Sequence, residues 1–112
     1  MEIKVRKTGD VSILDFSGKL DTGTSAEAES AINVVLEGGC SKVIINLRGI
    51  EYVSSSGLRV FLITVKKIAT LEGKFIICEP NDVVTEILDI SGFSTILDVR
   101  KTEAEALSAI QF

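Results

Sequence analysis

The chain of 112 residues contains no histidine. That absence excludes a Ser-His-Asp triad, a Cys-His nucleophile pair and any zinc site that relies on imidazole. Cysteine is scarce too. Cys40 and Cys78 are the only two, too few for a four-sulfur metal site. They could form one disulfide, but the leading MEIKVRK lacks the apolar stretch of an export signal. The expectation is therefore two reduced thiols in a cytoplasmic protein. Long hydrophobic runs are missing: Val60-Phe61-Leu62-Ile63 falls far short of the roughly 20 residues that cross a bilayer, so no membrane insertion is expected. Positive charge is neither in excess nor clustered. Twelve Lys and Arg stand against sixteen Asp and Glu, a net charge of −4. Adjacent basic pairs occur only at Arg6-Lys7, Lys66-Lys67 and Arg100-Lys101. Nothing here builds the basic groove that phosphate neutralisation requires, and no direct contact with nucleic acid is expected.

What is present describes an ordinary globular chain. Apolar residues make up 46% and charged residues 25%, with no linker, repeat or low-complexity stretch. The length suits one core, so residues 1–112 are read as a single domain. Ile3 and Val5 alternate with Lys4 and Arg6 as in a half-exposed strand, and Thr8-Gly9-Asp10 turns the chain into a second strand over Val11 to Phe16. Gly18 to Gly23 reads as a loop. Thr24 with Glu27 fits a capping box opening a helix with Ala28, Ala31, Ile32, Val35 and Leu36 on one face, stopped at Gly38-Gly39. Val43 to Leu47 is nearly continuous in apolar residues, the mark of a central strand buried on both faces, and Arg48 to Val53 reads as its exit connection. Leu58, Phe61, Leu62, Val65, Ile68 and Leu71 keep helical spacing up to Gly73. Phe75 to Cys78 is a strand stopped by Pro80. Asp82 to Ile90 is a helix with Val83, Val84, Ile87 and Leu88 inward, Ile96 to Val99 a short strand, and Thr102 with Glu105 a second capping box before Leu107 and Ile110.

The order is β-β-α-β-α-β-α-β-α, an α/β fold with a mixed, mostly parallel sheet packed by helices behind an antiparallel edge hairpin. Sites in such sheets gather where the chain leaves the carboxyl ends of strands, here residues 17–24 and 48–57. Neither segment fits an enzyme. Ser55-Ser56-Gly57 supplies half of a G-x-S-x-G elbow, but Val53 occupies the place of the first glycine and no histidine can act as base. Gly18 to Ser25 has the glycine spacing of a phosphate-binding loop, yet Thr24 replaces the essential lysine and Asp21 would repel phosphate. Asp21 has two readings, an Asx turn ahead of the helix or an acidic contact on the same rim as Ser55. In the run Ser54-Ser55-Ser56, Ser54 is well placed as N-cap, with Ser55 or Ser56 as alternatives. A serine in the first helical turn is equally suited to accept a phosphate, which would add about −1.5 to −2 charges beside the positive end of the helix dipole.

Val43-Ile44-Ile45-Asn46-Leu47 followed by Ile50-Glu51-Tyr52-Val53-Ser54-Ser55-Ser56-Gly57-Leu58 resembles the signature of the STAS domain. More narrowly, it is similar to bacterial anti-anti-sigma factors (anti-sigma factor antagonists), whose pattern is a buried strand, a hydrophobic turn and Asp-Ser-Ser/Thr/Ala-Gly-Leu/Ile. Gly18-Lys19-Leu20-Asp21 matches the family's Gly-x-Leu/Ile-Asp marker, and the similarity covers essentially the whole chain. The resemblance implies a partner that is both anti-sigma factor and serine kinase, with Ser55 at the phosphorylated position. The unmodified protein would bind the kinase and free the sigma factor, phosphorylation would release it, and a serine phosphatase would reset the cycle. The kinase would bring ATP and magnesium, so no cofactor is expected on this chain. Asp21, Thr24, Ser54, Ser56, Gly57 and Arg59 are the implied partner-binding residues. One position departs from the pattern: Ser54 stands where the family carries aspartate. That removes a negative charge beside the acceptor, which bears on kinase recognition, leaves a plain helix cap, or lets Ser54 compete with Ser55 for modification. Two other readings remain: a non-phosphorylated STAS subunit of a membrane transport or signalling assembly, and a nucleotide-binding or nucleotide-hydrolysing enzyme using the Gly18 loop, against which the missing lysine speaks.

Overall fold

The computed structural model describes residues 1–111. Five strands form one sheet in the order β1-β2-β3-β4-β5: β1 Glu2–Thr8, β2 Val11–Leu20, β3 Lys42–Val53, β4 Lys74–Cys78 and β5 Asp98–Arg100. The β1–β2 pair is antiparallel and every later pair is parallel. Four helices intervene: α1 Ser25–Glu37, α2 Ser55–Thr70, α3 Asp82–Ile90 and α4 Glu103–Ile110, with a 3₁₀ turn at Phe93–Thr95. The element order expected from hydrophobic periodicity is the one observed.

Alternation along the central strands divides the core into two layers. Leu14, Phe16, Val43, Ile45 and Ile77 face α1, α2 and α3, where Ala28, Ile32, Phe61, Ile68, Val84 and Leu88 are buried against them. Val11, Ile13, Ile44, Ile76 and Cys78 face the other way, onto Ala106 and Ile110 of α4. A strand with helices on both sides needs apolar residues at every position, which explains the run Val43 to Leu47. Asn46 is the exception inside it. Its side-chain amide donates to Glu103 (2.9 Å), and its oxygen accepts from the Arg48 N–H (2.8 Å). α4 has only eight residues, so beyond Ile13 and Ile44 that face of the sheet is left to polar groups. Arg6 clamps Asp15 and Glu103 there, and Glu79 accepts from the Glu103 N–H (2.9 Å).

Both cysteines are free, as expected from the sequence. Burial, reinforced by Glu103, Glu79 and Asp15, pushes the Cys78 thiol up to about 12, so it stays protonated and poorly nucleophilic.

Several local expectations are corrected. β2 does not end at Phe16 but continues to Leu20, and β3 continues through the expected connection to Val53. The two extensions pair with each other, Ser17 to Gly49 and Leu20 to Val53, across register shifts between Asp15 and Ser17 and between Gly18 and Lys19. Bulges break the period-2 alternation, so local pattern reads these residues as loop although they carry a ladder. The capping box of Thr24 and Glu27 does not form, because the Thr24 hydroxyl is turned back onto Lys19 and Asp21. The second box forms only half. Thr102 accepts from the Glu105 N–H (3.1 Å), while the Glu105 carboxylate reaches the Lys101 N–H rather than that of Thr102. Val83 lies outside the stripe set by Val84, Ile87 and Leu88 and is 53% exposed. Ile96 closes the 3₁₀ turn through its N–H to Phe93 (3.0 Å), so the last strand begins at Asp98 instead.

The polar cluster under α4 carries a pH dependence. The Arg6 guanidinium, then the Asn46 amide, hold the Glu103 carboxyl below its ordinary value against the opposing effect of burial. A depressed folded-state pKa stabilises above the unfolded value, about 4.3 for Glu, and that stability disappears as pH falls through the folded value. Glu103→Gln is expected to be less stable at neutral pH and to lose less further stability than the parent below about pH 4. Urea unfolding across that range measures both.

Candidate functional site at the carboxyl end of the sheet

β2 and β3 end side by side, Leu20 opposite Val53, and from there the chain turns into α1 and α2. The Ser54 N–H donates to the Leu20 carbonyl (2.9 Å), so the helix start is fastened to the neighbouring strand. On the β2 side, Asp21 forms an Asx turn in which its Oδ1 accepts from the Gly23 N–H (2.9 Å). Thr24 Oγ1 accepts from the Asp21 N–H (2.9 Å) and donates to the Lys19 carbonyl (2.7 Å). Thr24 thus braces the turn through its hydroxyl while the residue remains partly exposed. Of the two readings of Asp21 the structure shows the Asx turn, made by one oxygen, and the residue remains partly exposed on the rim.

On the β3 side, Ser54 is the N-cap of α2, in extended conformation, its Oγ accepting from the Gly57 N–H (3.3 Å). The choice among three serines is thereby resolved, and the aspartate expected by the family pattern is replaced by a residue with the same capping chemistry. Ser56 turns toward the other loop, where its hydroxyl lies 3.1 Å from that of Thr22. Thr22 was not singled out from the sequence. Nothing marks it except its place between Asp21 and Gly23, and only the meeting of two strand ends gives it a partner.

Gly57 is buried, not presented at the surface. A Cβ there would lie 2.7 Å from the Leu20 carbonyl oxygen, 2.8 Å from Leu20 Cγ and 2.8 Å from Val53 Cγ1. The glycine is what lets α2 sit directly on the ends of both strands. Arg59 is exposed one turn beyond Ser55, at the i,i+4 spacing that places two side chains on one helix face.

Ser55 differs from its neighbours. It is exposed, and its hydroxyl has no hydrogen-bond partner among the described residues, whereas those of Ser54 and Ser56 are engaged. As the first residue of α2 it lies where helical N–H groups lack intrahelical acceptors and the dipole is positive. An exposed, uncommitted hydroxyl at this point favours an added anion locally and costs the fold nothing. Ser54→Asp is expected to keep the cap and add about 0.3–1 kcal/mol through the helix dipole. Ser54→Ala is expected to lose about 0.5–1 kcal/mol, because the cap bond is long. Equilibrium unfolding of the two variants against the parent tests both signs.

This is a small α/β domain whose distinctive feature is a fastened polar rim with one free serine. Among the described residues no cluster of His, Cys, Asp and Glu could hold a metal ion, and no helix is long and apolar enough to cross a membrane. The chain belongs to the STAS domain family, whose model matches residues 2–106. It is 28% identical to the anti-sigma F factor antagonist of Paenibacillus polymyxa over 99% of this chain and 96% of that one. Among solved structures, an anti-sigma factor antagonist from Mycobacterium paratuberculosis superposes with a TM-score of 0.92 at 23% identity, covering 99% of this chain and 94% of the other. The Bacillus cell fate determinant SpoIIAA in its phosphorylated form superposes at 0.73 with 19% identity, covering 97% and 99%.

Proposed function

We propose that this protein is an anti-sigma factor antagonist, a cytoplasmic switch that binds an anti-sigma factor with serine kinase activity through the rim of Asp21, Ser54, Ser56 and Arg59 and is released when Ser55 is phosphorylated. It performs no catalysis of its own; the kinase brings the nucleotide and metal, and a serine phosphatase restores the hydroxyl. The observation that carries the reading is the contrast within the serine run: two hydroxyls committed to structure and one exposed and free. Kinship with curated antagonists supports the same reading over the transport-subunit alternative. Ser54 in place of the usual aspartate keeps the cap, and its engaged hydroxyl beside the free one of Ser55 supports Ser55 as the modified residue. Thr24 and Gly57 serve the site from below, by holding the turn and the helix–strand contact.

The mechanism is electrostatic. The phosphate sits comfortably in the free domain, where helix N–H groups and water surround it. In a complex the same charge is enclosed, and desolvating it without a partner cation opposes binding. The test is to incubate the protein with its cognate kinase and ATP and to locate phosphate by mass spectrometry. Phosphate on Ser55, with weakened complex formation, is the expected result. An unmodified 54–56 segment together with kinase binding indifferent to Ser55→Asp would overturn the proposal.

A further inference from the structure

The turn that opens α1 and the first turn of α2 are fastened to each other at two heights. At the base, the Ser54 N–H donates to the Leu20 carbonyl (2.9 Å). At the tip, the hydroxyls of Thr22 and Ser56 lie 3.1 Å apart. Among the described residues that pair is the one side-chain hydrogen bond joining residues 21–25 to residues 54–59.

Both hydroxyls are aimed by their surroundings. Asp21 and Gly23, on either side of Thr22, are locked together by the Asx turn (2.9 Å). The Asp21 carbonyl accepts from the N–H groups of Thr24 (3.2 Å) and Ser25 (2.9 Å), and the Thr22 carbonyl accepts from the Ser25 hydroxyl (3.4 Å). The exposed Thr22 side chain is thus carried on a braced turn. On the other side, consecutive residues of a helix point about 100° apart. Ser56 therefore meets the Asp21 turn while Ser55, one residue earlier, is exposed. Asp21 and Ser55 stand on opposite sides of this seam. A base contact alone lets the two tips part; a second contact at the tip holds them at one separation.

We infer that Thr22 is a positioning residue of the switch: acting through Ser56, it holds the turn carrying Asp21 against the first turn of α2, so that the kinase meets Asp21 and Ser55 as one preassembled rim. The inference rests on the function proposed above and adds to it a residue that works through another side chain. Without the pair, the kinase binds only the fraction of molecules in which the two tips are together, and apparent affinity falls by that fraction. An exposed hydroxyl pair is worth a modest factor, not an all-or-none effect.

Titration calorimetry of the full chain with its cognate anti-sigma kinase reads the inference. Thr22→Val keeps the branched shape and deletes the hydroxyl; it is expected to weaken binding about three- to fivefold. Thr22→Ser, which restores a hydroxyl, is expected to recover most of that loss. In a Ser56→Ala background Thr22→Val is expected to cost nothing further, because its partner is already gone. The KM for phosphorylation should rise by the same factor as the dissociation constant, with kcat unchanged. A valine variant that binds like the parent would sink the inference. So would equal losses in the two backgrounds, which would mean that Thr22 touches the kinase directly, or a serine variant as weak as the valine one. A parent that binds no kinase at all is a different result, visible before any variant is made: it would overturn the switch itself, and this inference with it.

Discussion

Ser55→Asp is expected to weaken binding to the cognate anti-sigma kinase by about a hundredfold, with little change in the domain's own stability. The two outcomes separate because they draw on different surroundings. Within the free domain, position 55 is exposed at the start of α2 and its hydroxyl supports no other group. A carboxylate there meets the positive end of the helix and is, if anything, mildly stabilising. In the complex the same charge is stripped of water, and an unpaired charge in an interface costs several kcal/mol. Ser55→Ala separates charge from shape: it is expected to bind the kinase about as tightly as the parent and to resist release by ATP. Titration calorimetry of parent and both variants, with and without ATP, reads all of this. Arg59, on the same face one turn along, modulates the effect. Arg59→Ala is expected to deepen the loss caused by phosphate, since no other basic side chain follows within that turn of α2.

Gly57→Val carries the largest expected loss of stability. The positions that a β-branched side chain would need are filled by the Leu20 carbonyl and by the Leu20 and Val53 side chains, each closer than 3.0 Å to an added Cβ. One obstacle is backbone and the others are core residues, so relief requires α2 to lift away from the ends of β2 and β3. Overpacking of this kind costs about 3 kcal/mol, or roughly 10 °C in Tm for a domain of this size. Gly57→Ala should cost less, because one methyl needs a smaller displacement. A lifted helix also lengthens the Ser54 N–H to Leu20 bond and parts Ser56 from Thr22. Kinase binding should therefore fall in parallel with Tm across the pair of variants. A valine variant with unchanged Tm would show that the contact is not as tight as its geometry implies.

Which parts of this protein could be read from residues alone follows from how far each signal reaches. Element order and type were legible because the hydrophobic periods of α1, α2 and α3 and the apolar run Val43 to Leu47 are local properties of the chain. The Ser54 cap and the Asx turn of Asp21 were legible as possibilities, since each closes within three residues. By contrast, the extensions of β2 to Leu20 and β3 to Val53 depend on each other: their bulged ladder exists only because the two strands lie side by side. Thr24 lost its capping box to the Lys19 carbonyl, and Thr22 gained Ser56 across 34 positions. Residues alone left three serines competing for one cap. The tertiary structure decided among them, because Ser54 is tied to Leu20, Ser56 faces Thr22, and only Ser55 is left pointing at solvent with its hydroxyl free.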